Sequence, residues 1–200
     1  MENIKAFLKR KDIVISGKRY GIDALGAMAQ GLFCSLLIGT IVKTLGEQAG
    51  LPFLVDVGAY ASAMSGAAMA IAIGCALKAP PLVLFSLAAV GYAANALGST
   101  TLSGEPGAGG PLAVLFIAII AAEFGKAVSK ETKIDILVTP LVTILAGVGL
   151  SALIAPAIGT AATAVGNVIM WATDLQPFFM GIIVSVVIGM ALTLPISSAA

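Results

Sequence analysis

Histidine is absent from the 200 residues, cysteine occurs only twice, and Asp, Glu, Lys and Arg together make up 10% of the chain. Without histidine the chain lacks the usual general base, the usual metal ligand and the phosphoryl-carrying side chain of phosphorelays. Cys34 and Cys75 both lie inside apolar runs and are too few for a disulfide framework or a zinc cluster. No catalytic constellation is visible, and no cofactor, metal or nucleic-acid partner is expected. A soluble domain carries about a quarter charged residues. The scarcity of charge here, with 59% apolar residues and a mean hydropathy of +1.06, excludes that class. What remains is an integral, multi-pass protein of the cell membrane.

The charge that is present is concentrated. Lys5, Lys9, Arg10, Lys11, Lys18 and Arg19 precede residue 20, against only Glu2 and Asp12. Ile4, Phe7 and Leu8 recur at helical spacing among these cations, the pattern of a short helix lying in the headgroup region. Residues 1–19 are therefore expected to form a basic interfacial segment, and the positive-inside rule puts it in the cytoplasm. The apolar stretch that follows is far longer than the ~7–15 residues of a signal-peptide core, so it reads as a retained span.

Threading from that start gives an all-α, polytopic transmembrane bundle of about seven segments: 21–45, 51–77, 82–97, 112–128, 134–155, 156–171 and 178–194. Prolines at 52, 81 and 111 stand where helices restart. The sixth segment is short for a span of ~20 residues, which marks it as a broken, tilted or re-entrant helix. Residues 98–110 form a Gly-rich stretch without a basic residue, and no Gly-Lys-Ser/Thr follows to make a phosphate loop. It is either a structured loop lining a pathway or an external linker. Pro195–Ala200 bring no polar tail, so residues 20–200 are expected to be the front part of a longer fold.

Small residues recur every fourth position in the first two spans, as Ala27, Gly31, Ser35, Gly39 and as Gly58, Ser62, Gly66, Ala70, Gly74. Such stripes let backbones approach closely, here within the bundle rather than between subunits. Polar residues in hydrocarbon tend to face a cavity or one another. Asn95, Glu105 and Asn167 are the leading candidates for contact with a solute, joined by Gln30 and Tyr92, with Thr160 and Thr163 shortly before Asn167. Asp56 reads as an interface residue or a helix-start partner, and Glu123 with Lys126, three apart, as a surface ion pair.

The order of features resembles the membrane-embedded EIIC component of the phosphoenolpyruvate-dependent sugar phosphotransferase system (PTS), of the fructose-like type. The resemblance rests on Gly91-Tyr92-Ala93-Ala94 leading into Gly104-Glu105-Pro106-Gly107-Ala108-Gly109-Gly110, the basic turn before Val138-Thr139-Pro140-Leu141, and Ile154-Ala155-Pro156-Ala157-Ile158-Gly159. Glu105 departs from the basic residue of the fructose-type loop. Lys18-Arg19-Tyr20-Gly21-Ile22-Asp23, continuing to Gly31, is more similar to a branch of stand-alone EIIC-like proteins that includes regulators of perfringolysin expression. The resemblance implies a sugar permease component that binds a sugar or related small polar solute in the bilayer, with EIIA and EIIB on separate chains and a homodimeric state. The alternatives are a non-transporting membrane regulator or sensor with the same fold, and a transporter of an apolar or lipid-like ligand.

Overall fold

The computed structural model describes residues 2–173 together with 181, 185 and 186. The described residues are helical apart from short connections, and their one β-bridge joins Thr100 to Pro106. Helix α1 (Glu2–Arg10) is followed by α2 (Arg19–Ala49), α3 (Pro52–Ala63), α4 (Ser65–Ala76), α5 (Pro81–Gly98), α6 (Gly110–Val128) and α7 (Asp135–Thr173). Four of them, α2, α5, α6 and α7, are long and apolar enough to cross a membrane. The pair α3 and α4, bent by 46° across Met64, makes a fifth as one broken span.

This count differs from the seven segments expected. Residues 134–155 and 156–171 are not two spans, because α7 runs through both Pro140 and Pro156 as one helix of 39 residues. A proline removes one backbone donor, yet a helix in a bilayer gains nothing by breaking there, since freed carbonyls find no water. Hydroxyl donors take part in the ladder on either side of the prolines: Thr143 donates to the Thr139 carbonyl, Ser151 to Gly147 and Thr160 to Pro156. The segment expected at 178–194 falls outside the described residues except for Gly181, Ser185 and Val186.

Helix boundaries follow local chemistry. Pro52, Pro81 and Pro111 sit in first turns, where a missing N–H costs nothing. Helix α2 stops at Gly50, which takes the left-handed conformation (φ 67°) and donates back to the Gly46 carbonyl. The core lies where α4, α5 and α6 meet, through Met69, Ile73, Leu87, Val90 and Ile117, with the N-terminal half of α2 and α7 packed around it.

Residues of the small-residue stripes, with Gly46 beyond them, make close contacts between helices, as expected of internal packing. A Cβ at Gly31 would lie 2.7 Å from the Ala68 carbonyl oxygen, one at Gly39 2.5 Å from Ser62 Oγ, and one at Gly46 2.7 Å from the Val55 nitrogen. These three contacts set α2 antiparallel to α3 and α4 from Gly31 to Gly46.

Candidate functional site

Two polar assemblies stand at opposite ends of the bundle. The first is built on residues 98–110. Gly107 N–H donates to the Ser99 carbonyl (2.8 Å), Thr101 N–H to the Glu105 carbonyl (2.8 Å), and Glu105 N–H to Thr101 Oγ1 (3.1 Å). Gly104 closes the turn with φ 81°, a region glycine enters without steric cost. The segment is therefore a compact hairpin, not a linker.

Helix α7 seats this hairpin. Leu102 N–H donates to Thr160 Oγ1 (3.0 Å) and Ala108 N–H to Thr163 Oγ1 (3.3 Å), while each hydroxyl donates in turn to a carbonyl one turn earlier in α7. Gly109 meets Gly159 so closely that a Cβ on Gly109 would stand 2.6 Å from the Gly159 Cα. Irregular backbone leaves N–H groups without a helical partner, and here the threonine hydroxyls of α7 accept from two of them.

Asn95 lies at the base of the hairpin. Its Nδ2 approaches Ser65 Oγ at 3.5 Å, and its Oδ1 occupies the space that a Cβ on Gly110 would need. Gly66 on α4 gives way to the Asn95 Cβ in the same manner. Of the five residues singled out as solute contacts, the structure thus brings Asn95 into a crease between α4, α5 and α6. Glu105 sits on the hairpin, exposed, with a carboxylate that has no hydrogen-bond or ion-pair partner among the described residues. Asn167 lies four residues beyond Thr163 and is exposed. Tyr92 belongs to the outward stripe of α5, and Gln30 is exposed on α2. These last three do not converge on the Asn95 crease within the described residues.

The second assembly gathers the N-terminal segment, the turn between α4 and α5, and the turn between α6 and α7. Its centre is Lys126, whose side chain is only 1% exposed. Its ammonium donates to the backbone carbonyls of Asp12 (2.7 Å) and Leu77 (3.0 Å) and lies 3.0 Å from Glu123 Oε2. Tyr20 donates to the other oxygen of Glu123 (3.1 Å). The pair read from spacing as a surface ion pair is therefore real but buried, with Glu123 only 14% exposed.

Arg19 reaches both Asp12 (2.8 Å) and the Leu77 carbonyl (2.6 Å). Lys11 donates to the Ser129 carbonyl and pairs with Glu131, which Arg10 also contacts at 2.7 Å. The Arg19 guanidinium holds the Asp12 carboxyl below its usual range, and the Lys11 ammonium does the same for Glu131. Each of these turns also contains a non-glycine residue at positive φ: Asp12 (52°), Lys78 (55°) and Lys130 (62°). Cations near helix C-termini complement the dipole and satisfy the last carbonyls. Spacing within α6 could flag Glu123 and Lys126, whereas nothing local marks Asp12 or Leu77 as their partners.

Two recesses accompany these assemblies. One of about 320 Å³ lies among Arg10, Lys11, Lys126, Lys130 and Glu131. The other, about 630 Å³, is an apolar groove between α2 and α6, walled by Tyr20, Ile22, Leu25, Leu112, Phe116 and Ile120. Among the described residues no cluster of potential metal ligands occurs.

No curated protein and no solved structure matches this chain. One family profile does, that described as "Phosphotransferase system, EIIC", over residues 22–200. Among the described residues the match takes in the candidate membrane spans, apart from the first three residues of α2, together with the hairpin seated on α7 and the buried Lys126. The chain belongs to the EIIC family, the membrane components of the phosphotransferase system.

Proposed function

We propose that the chain is the membrane-embedded part of a sugar permease, binding a sugar or related small polar solute in the crease under the 98–110 hairpin. The observation that carries this reading is the hairpin itself, an irregular backbone fastened by Thr160 and Thr163 beside the half-buried amide of Asn95. Hydroxyl-rich solutes are recognised by amides, carboxylates and open backbone groups, and Asn95, Glu105 and the hairpin supply all three. Asn167, Gln30 and Tyr92 belong to an outer set that meets the solute in other states of the transport cycle. Phosphorylation is carried by EIIA and EIIB on other chains, the N-terminus is cytoplasmic, and the working unit is a homodimer.

The test is binding. A panel of hexoses, hexitols and sugar acids is screened by thermal shift on purified protein, and the best stabiliser is titrated against Glu105→Gln and Asn95→Ala. Each substitution is expected to weaken binding by at least tenfold, the scale of a lost hydrogen bond to a charged or buried polar group. Unchanged affinity in both variants, with normal folding, excludes a site there.

A second reading, a ligand of lipid-like character, is favoured by the apolar groove between α2 and α6. Stabilisation by lipids and by no sugar in the same screen would select it. The fructose-like type and the regulator branch extend the family assignment through residues 18–31 and 104–110. A regulator keeping this fold would bind without moving solute, which uptake into proteoliposomes distinguishes.

A further inference from the structure

Helix α2 contains a π-helical turn at Phe33–Leu37, where the Ile38 N–H donates to the Phe33 carbonyl five residues back. Such turns insert in effect one extra residue into an α-helix, locally weaken its ladder and are recognised points of bending. Ser35, at the centre of the turn, donates its hydroxyl to the Gly31 carbonyl (2.7 Å), a back-bond that also favours bending. The partner span is broken separately at Met64, with a 46° change of direction between α3 and α4.

The two breaks lie at the same level. Gly31 meets Ala68 and Met69, while Gly39 meets Gly58 and Ser62. In an antiparallel pair, that register sets Ser35 opposite Met64. On one side of this level, α2 and α4 pack into the core through Ala24, Met69, Ala70 and Ile73. On the other side, residues 38–49 and α3 pack on each other through Gly39, Gly46 and Gly58, and large side chains such as Ile41, Leu45, Phe53 and Tyr60 remain exposed, the last two at 74%.

We propose that residues 38–63 are a rigid two-helix arm that swings relative to the bundle about a paired hinge, formed by the π-turn at Phe33–Leu37 and the break at Met64. Two helices joined by a tight turn and packed on each other would resist bending unless both had a break at one level, and here both do. Ser65, the residue after the break, faces Asn95, so rotation at the hinge alters one wall of the Asn95 crease. That coupling rests on the proposed solute site, whereas the hinge does not.

The hinge is tested by pulsed electron–electron double resonance in lipid nanodiscs, using the chain with Cys34→Ala and Cys75→Ala as background. Spin labels on Tyr60→Cys or Phe53→Cys are each paired with Phe85→Cys on α5. The pair Leu45→Cys and Phe53→Cys serves as the control within the arm. All four sites are exposed. Tyr60 and Phe53 lie four and eleven residues before Met64. A rigid swing should therefore make the Phe53–Phe85 distance spread roughly three times the Tyr60–Phe85 spread, after removal of the label's own width, since displacement grows with distance along a helix. The within-arm pair should stay narrow. Equal, narrow distributions for all three pairs would overturn the hinge, and so would a broad within-arm pair, which would mean local fraying. Because no solute is present, loss of the Asn95 site in the binding test leaves this result untouched.

Discussion

Lys126 shows how one side chain changes meaning with its surroundings. Its spacing from Glu123 is that of countless exposed pairs worth a few tenths of a kcal/mol. Buried at 1% exposure, with two helix-terminal carbonyls as further partners, it belongs to a different energetic class. Removing one member of a buried pair leaves an uncompensated charge and costs on the order of 3–5 kcal/mol. Lys126→Met is therefore expected to lower the thermal unfolding temperature in detergent sharply. Adding Glu123→Gln should recover part of the loss, because the orphaned carboxylate is gone while Tyr20 keeps an acceptor. A double variant no more stable than Lys126→Met would contradict this account. The residue type and its intrahelical neighbour were legible in the sequence. Its burial was not, because the Asp12 and Leu77 carbonyls lie 114 and 49 positions away.

Among helices, the decisive contacts are made by residues with almost no side chain. Gly66 and Gly91 pack reciprocally: a Cβ on either would run into the other's carbonyl oxygen. Gly91→Ala should force α4 and α5 apart and cost about 1–3 kcal/mol, the usual penalty of overpacking. Gly149→Ala, where nothing lies within 4 Å of the added carbon, should be neutral or slightly stabilising. Thermal unfolding of the two variants side by side checks the contrast, and equal behaviour would refute it. The four-residue stripes and the prolines at helix starts were readable because both are local rules. The continuity of α7 was not, since Pro156 carries the same local signal whether a helix ends there or passes through. What accompanies the passage is non-local, the packing of Gly159 against the hairpin. Likewise, Asn95 stood out as a polar residue in a span, but the seating of 98–110 on Thr160 and Thr163 joins residues more than fifty positions apart.

For the molecule as a whole, the two polar assemblies give it a charged end and a hairpin end. If the charged end is cytoplasmic, as proposed, Glu47→Cys in the last turn of α2 should react with a membrane-impermeant maleimide in intact cells, and Lys130→Cys only after permeabilisation. The opposite labelling pattern would invert the orientation. Both positions are exposed, so reactivity reports sidedness rather than burial.

The assembly of ion pairs at the charged end also has an order of events written into it. Arg10 and its partner Glu131 are separated by 121 positions, so at ~5–20 residues per second the ribosome needs roughly 6–24 s to supply the second after the first. Throughout that interval Arg10 and Lys11 lack their later partners Ser129 and Glu131, whereas Arg19 already has Asp12 within the N-terminal segment. Only when the α6–α7 turn emerges do the same cations become a clasp. In the proposed cytoplasmic orientation of the N-terminus, one cluster would serve first as an orienting signal at the translocon and then as the closure of the finished bundle.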